Sequence, residues 1–280
     1  MSMGALVHPT TPLDAGLADD RETVNAELTA LVRPIGAKPT PFRMAMEYSV
    51  LGPGQRIRPI LSLRIARTLG LESALMLRAA SAVELIHCAS LIVDDLPCMD
   101  NETSRRGRAC THIVYGESTA LLAAFGLVGL AGRCLLSEPA GPSLASALLS
   151  FQSTLLGVLD LAGLCEGQDM DLRIQGEERA LLRSRINELK TVPLFELAGH
   201  AGSLPLDPGS ASTLAAVGFA RSFGRAFQLV DDFLDGELAN RAPALAAIRR
   251  SRGQLAGLPH SLELHELLDA LASRLNERRP

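Results

Sequence analysis

The residues best suited to do chemistry in this chain are aspartates, and they fall in two groups. Asp94 and Asp95 end the run Leu91-Ile92-Val93-Asp94-Asp95-Leu96-Pro97-Cys98-Met99-Asp100, where Pro97 bends the chain so that Asp100 can return toward the first pair. Asp231, Asp232 and Asp235 stand in Phe227-Gln228-Leu229-Val230-Asp231-Asp232-Phe233-Leu234-Asp235. Asp231 and Asp235 are four apart and share one helical face, about one turn of ~5.4 Å from each other. Both groups follow apolar runs, Cys88 to Val93 and Phe223 to Val230, where an unpaired carboxylate is costly. One such group alone reads equally well as the solvated end of a helix. Two with related spacing, each on a long apolar helix, point to a hard-cation site, because carboxylate oxygens hold Mg2+ while waters and substrate phosphates complete its shell. Facing each other across a bundle, they would cage a diphosphate and stabilise negative charge on it as it leaves.

The elements that must carry these groups are helices. The chain has 280 residues, with 50 Leu and 38 Ala against 12 Val and 10 Ile, a bias that favours helix and excludes an all-β fold. Aromatics are 4% with no Trp, so aliphatic side chains must fill the core between helices. Period and breakers predict helices over Arg21–Val32, Pro41–Leu51, Arg56–Leu69, Glu72–Asp95, Glu117–Leu136, Ser143–Gly167, Glu177–Gly202 and Ser210–Leu238, then shorter pieces, with no convincing strand. The turn signals Gly52-Pro53-Gly54 and Leu204 to Gly209 are too short for interdomain linkers. Residues 1–20 read as a flexible N-terminal arm, broken by Pro and Asp, and 21–280 as a single all-α domain.

Net charge is −4, which argues against a large basic footprint and so against nucleic acid as a partner. Of 27 basic residues only Lys38 and Lys190 are lysines, so a mechanism that needs lysine has few places to find one. The Arg-rich stretches Arg249 to Arg252 and Arg278-Arg279 read as solvated helix faces. Five scattered cysteines without C-x-x-C spacing suggest neither a disulfide framework nor a thiolate zinc site, and fit a reducing cytoplasm. No uninterrupted apolar run reaches the ~20 residues of a membrane span.

In the order of its motifs the sequence resembles the trans-isoprenyl diphosphate synthases, or polyprenyl synthetases, and most of all the bacterial geranylgeranyl diphosphate synthases. The resemblance runs from about Gly52 to Gly236 and rests on Gly54-Gln55-Arg56-Ile57-Arg58-Pro59, Glu84-Leu85-Ile86-His87, the first aspartate run, Arg105-Arg106-Gly107, Tyr115-Gly116-Glu117, Gly167-Gln168 with Asp171, Lys190-Thr191, and the second aspartate run. It implies an isoprenoid-synthase bundle around a deep central cavity, a homodimer, and Mg2+ as cofactor, about three ions with substrate bound. Asp94, Asp95 and Asp100 on one wall and Asp231, Asp232 and Asp235 on the other would bind metal at the allylic diphosphate. Arg105, Lys190, Thr191 and Gln228 would lie beside it. Isopentenyl diphosphate, without metal, would sit against Arg58, Arg106 and His87. The small residues Ala89 and Ser90, one turn before Asp94, would let a growing chain pass, which implies geranylgeranyl diphosphate as product, or farnesyl diphosphate.

Three departures keep other readings open. Gln55 stands where the family has an isopentenyl diphosphate-binding lysine, replacing a charge-assisted contact by a weaker amide one. After Asp235 the chain runs through Gly236 to Pro243 without the family's lysine-bearing loop, and Arg241 is the nearest cation that could substitute. Ala123 to Leu127 also lacks an aspartate usual in the family. A non-catalytic partner subunit of a prenyl synthase and a class I terpene cyclase or lyase are the alternatives. All six motif aspartates persist, against the first, and the second cluster has the form of elongating synthases, against the other.

Overall fold

The computed structural model describes residues 12–33, 36, 38–136, 141–160 and 163–276. In order they form α1 (Pro12–Val32), α2 (Pro41–Val50), α3 (Ile57–Thr68), α4 (Ala74–Asp94), β1 (Ser104–Arg105), β2 (Arg108–Ala109), α5 (Thr111–Tyr115) and α6 (Glu117–Arg133). There follow α7 (Pro142–Gly157), α8 (Leu164–Arg173), α9 (Gly176–Gly202), α10 (Ala211–Leu234), α11 (Ala242–Gln254), a 3-10 turn at Leu255–Gly257 and α12 (Leu262–Arg274). The fold is all-α as expected. Against the expectation of no strand, the described residues include an antiparallel hairpin β1–β2, whose two central residues, Arg106 and Gly107, both have positive φ, at 52° and 75°. That backbone is the tight turn whose twist matches paired strands.

Three helix boundaries differ from the sequence reading. The chain is helical from Pro12 rather than loose to Asp20, while residues 1–11 lie outside the described residues. Leu17, Asp20, Val24 and Leu28 share one face of α1, and Asp20 accepts hydrogen bonds from Arg64 Nε and Arg67 Nη2 at 2.8 Å each. The expected helix Ser143–Gly167 is two helices, because α7 ends at Gly157 and α8 starts afresh at Leu164, whose amide bonds the Val158 carbonyl at 2.8 Å. A Cβ on Gly163 would lie 2.0 Å from that carbonyl oxygen, so only glycine closes this turn. Helix α10 stops at Leu234, not Leu238: Gly236 has φ 81°, its amide reaches Phe233 O at 3.2 Å and that of Glu237 reaches Asp232 O at 2.8 Å. These are the two reverse bonds of a Schellman cap.

One hydrophobic core runs from Leu17 in α1 to Leu275 beyond α12. Helix α4 lies at its centre, against α1, α3, α6 and α9. Ser73 caps it, its Oγ accepting from the Met76 amide at 3.4 Å. By length and apolar composition α4 could cross a membrane, contrary to the expectation that no stretch would, but 72% of its apolar window is buried within the bundle. Helix α9 threads between α3, α8 and α10. Its approach to α10 is close enough that a Cβ on Gly199 would stand 2.8 Å from Val217 Cα.

Two buried arginines of this core are paired, Arg56 with Glu84 and Arg64 with Asp20. Arg56, at the start of α3 with φ 55°, meets Glu84 of α4 at 2.9 Å, both side chains 3% exposed. The rest of its guanidinium donates to Val50 O, Gly52 O and Asn25 Oδ1 at 2.7, 2.8 and 2.9 Å. The fork thereby ties the loop before α3 to α1 and α4. Removing one member of a fully buried pair strands the other charge, which costs about 3–5 kcal/mol. Glu84→Ala is expected to lose stability on that scale in denaturant unfolding, and the double variant Arg56→Met/Glu84→Leu to lose less than Glu84→Ala.

Candidate active site

Both aspartate groups stand at the C-terminal ends of apolar helices, the end at which the helix dipole is negative and carboxylates are disfavoured. Each group therefore draws donors from other elements of the chain. At the end of α4 the chain doubles back through Pro97, and the Asp100 amide bonds the Asp94 carbonyl at 2.9 Å, which brings the third aspartate back as the spacing suggested. Asp95 is buried and accepts from Arg105 Nε at 2.6 Å. Asp100 accepts from Gln168 Nε2 of α8 at 2.9 Å. Burial pushes the Asp94 carboxyl up to about 6, with Asp100 and Asp95 adding repulsion and the nearby Lys190 and Arg105 charges opposing it.

At the end of α10, Asp232 is buried and held by amides: Gln228 Nε2 donates at 2.7 Å and Asn187 Nδ2 of α9 at 3.2 Å. Gln228 Oε1 in turn accepts from Thr191 Oγ1 at 2.5 Å. Asp231 receives Arg274 Nη2 at 2.8 Å, from the last residue of α12. Burial still holds the Asp231 carboxyl above its ordinary range, outweighing that guanidinium. Asp235 is the exposed C-cap residue just past α10. Arg241, the cation nearest in sequence, is not at this group: it donates to Asn276 Oδ1 at 3.2 Å on the surface, and Arg274 supplies the charge instead. Arg183 of α9 pairs with Glu237 just past the cap.

Helix α9 connects the two groups. Asn187 and Thr191 serve the α10 side, and Lys190 bonds Asp171 of α8 at 2.6 Å while lowering the pKa of Asp94. Helix α8 approaches α9 closely here: a Cβ on Gly167 would sit 2.8 Å from Leu189 Cβ and 2.9 Å from the Lys190 amide nitrogen. Gly167 thus sets the position from which Gln168 and Asp171, one turn apart, reach Asp100 and Lys190.

A second set of groups lies beside α3. Arg58 Nη1 is 3.3 Å from His87 Nε2, and its guanidinium lies over the Phe195 ring at 4.7 Å. Arginine can only donate, so Nε2 is the acceptor and the proton sits on Nδ1. Burial first, then the charge of Arg58, pushes His87 well below its usual range, and it is neutral near pH 7. Burial also brings Arg58 down to about 10. Arg106, at the hairpin tip, donates to Pro53 O at 3.1 Å beside the exposed Gln55. Ala89 is buried, and Ser90 turns its hydroxyl back to the His87 carbonyl at 2.9 Å.

The donor set suits a hard divalent cation. The carboxylates of Asp94 and Asp231 are desolvated and hold protons more tightly than usual, as groups poised for an added positive charge do. Among the described residues, no three His, Cys, Asp or Glu side chains stand close enough to hold a metal ion by themselves. The preassembled cage expected from the spacing is therefore not present, and waters and phosphate oxygens would have to complete any Mg2+ shell, as Mg2+ usually requires. The sequence singles out Gln168 and Asp171 only as part of the motif set, without a role, and does not single out Asn187 or Arg274 at all; nothing local marks Arg274.

An all-α bundle with aspartate-rich ends on two core helices has the architecture of isoprenoid synthases. The polyprenyl synthetase family model matches residues 39–241. A heterodimeric geranylgeranyl pyrophosphate synthase large subunit from Arabidopsis thaliana is 36% identical over 89% of this chain, which spans 65% of that relative's length. The farnesyl diphosphate synthase of Geobacillus stearothermophilus is 35% identical over 79% of the chain and 74% of its own. The crystal structure of a geranyltransferase from Legionella pneumophila superposes with a TM-score of 0.83 at 26% identity, covering 94% of this chain and 98% of that one. The chain belongs to the polyprenyl synthetase family, the trans-isoprenyl diphosphate synthases.

The state of Asp94 gives a signed expectation for the metal-free protein. A carboxyl whose folded pKa is raised from 3.8 to about 6 favours the fold below pH ~4, and that contribution is lost as pH rises through ~6. Asp94→Asn is therefore expected to be more stable than the parent at pH 8 by up to about 3 kcal/mol, with little gain at pH 4, in chelator-treated melts at both pH values.

Proposed function

We propose that the protein condenses isopentenyl diphosphate with an allylic diphosphate, head to tail and with Mg2+, to make geranylgeranyl diphosphate. The observation that carries this reading is the pairing of two aspartate-ended core helices, α4 and α10, with one shared helix, α9, that brings Lys190 and Thr191 between them. It agrees with the relatives being geranylgeranyl and farnesyl diphosphate synthases.

Asp94, Asp95, Asp100, Asp231, Asp232 and Asp235 would hold the metal, Asp232 being oriented by the Gln228 and Asn187 amides. Bound there, Mg2+ would stabilise negative charge on the departing diphosphate. The chain's own residues do the rest. Arg105 and Lys190, each already oriented by a carboxylate at 2.6 Å, present cationic N–H donors to the allylic diphosphate. Arg58, Arg106 and neutral His87 receive isopentenyl diphosphate, and Gln55 at its exposed edge contributes an amide rather than a charge. Rupture of the allylic carbon–oxygen bond and formation of the new carbon–carbon bond leave a proton to be lost. Among the described residues no side chain stands out as a dedicated base, and the released diphosphate takes it.

Two further parts of the reading concern product and partner. Ala89 and Ser90 are small, one turn from Asp94, so a chain longer than farnesyl can pass them. Exposed apolar residues gather on α5 and α6, where Ile113, Val114, Leu121, Leu122 and Phe125 are 40–67% exposed. A second copy of this chain would cover them. The second reading, a subunit that works beside a different synthase, draws on the relative described as the large subunit of a heterodimer.

The decisive assay is purified protein with Mg2+, isopentenyl diphosphate and farnesyl diphosphate, with products separated by chromatography. A geranylgeranyl product is expected, and Asp231→Ala should lower turnover by roughly two to four orders of magnitude with circular dichroism unchanged. No turnover by the parent chain would shift the reading to the subunit. In the same assay Ala89→Tyr is expected to shorten the main product by one isoprene unit, and an unchanged product would place the floor of the chain-length cavity elsewhere.

A further inference from the structure

Arg274 stands out among the cations near the aspartate groups, because it comes from a distant element and is only half used. Its Nη2 donates to Asp231 Oδ1 at 2.8 Å, across 43 residues of sequence. Its Nη1 is buried and has no hydrogen-bond partner. The guanidinium lies 5.3 Å from the centre of the Phe227 ring, and Phe227 is one turn before Asp231 on α10, so ring and carboxylate cradle it from the same helix face. The backbone that carries it is firmly set. Leu264, Leu267, Leu268 and Leu271 bury one side of α12, and Glu263 and Glu266 near its start pair with Arg67 and Arg64 of α3 at 2.7 and 3.1 Å. Arg274 is thus delivered to Asp231 by a packed helix.

A guanidinium and a divalent cation compete for the same carboxylate, and two positive charges a few ångströms apart repel each other. Metal alone must displace Arg274 from Asp231. A metal that arrives with a diphosphate brings new oxygen acceptors, and these can satisfy the unpartnered Nη1 and repay the exchange. Phe227 keeps the guanidinium at the site while its partner changes.

We propose that Arg274 couples metal to diphosphate at the second aspartate group: it holds Asp231 when both are absent and becomes a ligand of a diphosphate oxygen when they enter together. This rests on the reading of the site as a metal–diphosphate site and adds to it a positioning residue from the C-terminal helix. The coupling lets α10 take up metal chiefly in the company of substrate.

The test is calorimetric and needs no turnover. Mg2+ alone, and inorganic diphosphate at fixed Mg2+, are titrated into the whole protein and into Arg274→Gln and Arg274→Met, the latter keeping an apolar stem against Phe227. Expected are a several-fold tighter Kd for Mg2+ alone in both variants, since the competitor is gone, and an approximately tenfold weaker Kd for diphosphate, since a ligand is gone. A residue that merely supports the fold would not move the two in opposite directions. If both constants weaken, if neither changes, or if both variants fail to fold, the coupling is overturned. Failure of the unsubstituted protein to bind diphosphate at any Mg2+ concentration would instead overturn the reading of the site, and the coupling with it.

Discussion

The structure turns on one electrostatic constraint: two core helices, α4 and α10, end in carboxylates at the pole where helix dipoles are negative, next to apolar packing that removes water. Apart from Gln228, which reaches Asp232 along α10 itself, the donors and charges that meet these carboxylates come from other elements. Arg105 comes from a hairpin, Gln168 from α8, Asn187 and Lys190 from α9, and Arg274 from α12. Much of the connectivity of the bundle serves to deliver these groups. Asp94 and Asp231 remain under-compensated even so, and each holds its proton more tightly than a carboxyl in water. A deficit of positive charge beside oxygen donors suits a hard cation, which is what the proposed function asks of these two helix ends.

Close packing fixes where those donors stand. Gly167 allows α8 against α9 and Gly199 allows α9 against α10, each at a separation where a methyl group would collide with the neighbouring helix. The amide chain Thr191–Gln228–Asp232–Asn187 then locks α9 to α10 in register. On the other side of α4, the buried Arg56–Glu84 pair secures the loop that holds Gln55 and the start of α3, and so the position of Arg58. Arg58 is itself oriented by the Phe195 face and neutral His87, and burial lowers its proton affinity.

Much was legible in the sequence alone. Leu and Ala in such excess dictate helices, since their side chains lose little freedom there, and the 3.6-residue period located most of the elements. The aspartate runs were legible because they break an apolar pattern, and a charge that interrupts a buried helix needs a reason. Pro97 returning Asp100 toward Asp94 was legible as well, being a local consequence of a residue that cannot continue a helix. The split of α7 from α8 and the early stop of α10 were less so, because each depends on a single glycine accepting a backbone arrangement that composition does not announce.

Only the tertiary structure decided the partners. Arg241 is six residues from Asp235 and faces Asn276, whereas Arg274 is 43 residues from Asp231 and touches it, because α12 packs back along α3 and α10. Likewise Asp20 reads as a breaker in a loose arm until Arg64 and Arg67 are seen to receive it inside a helix. Sequence determines what a residue can do within a few turns of its own helix, where geometry is fixed by backbone period. Which distant charge satisfies a buried one depends on how helices cross, and that is settled by side-chain volumes summed over the whole core.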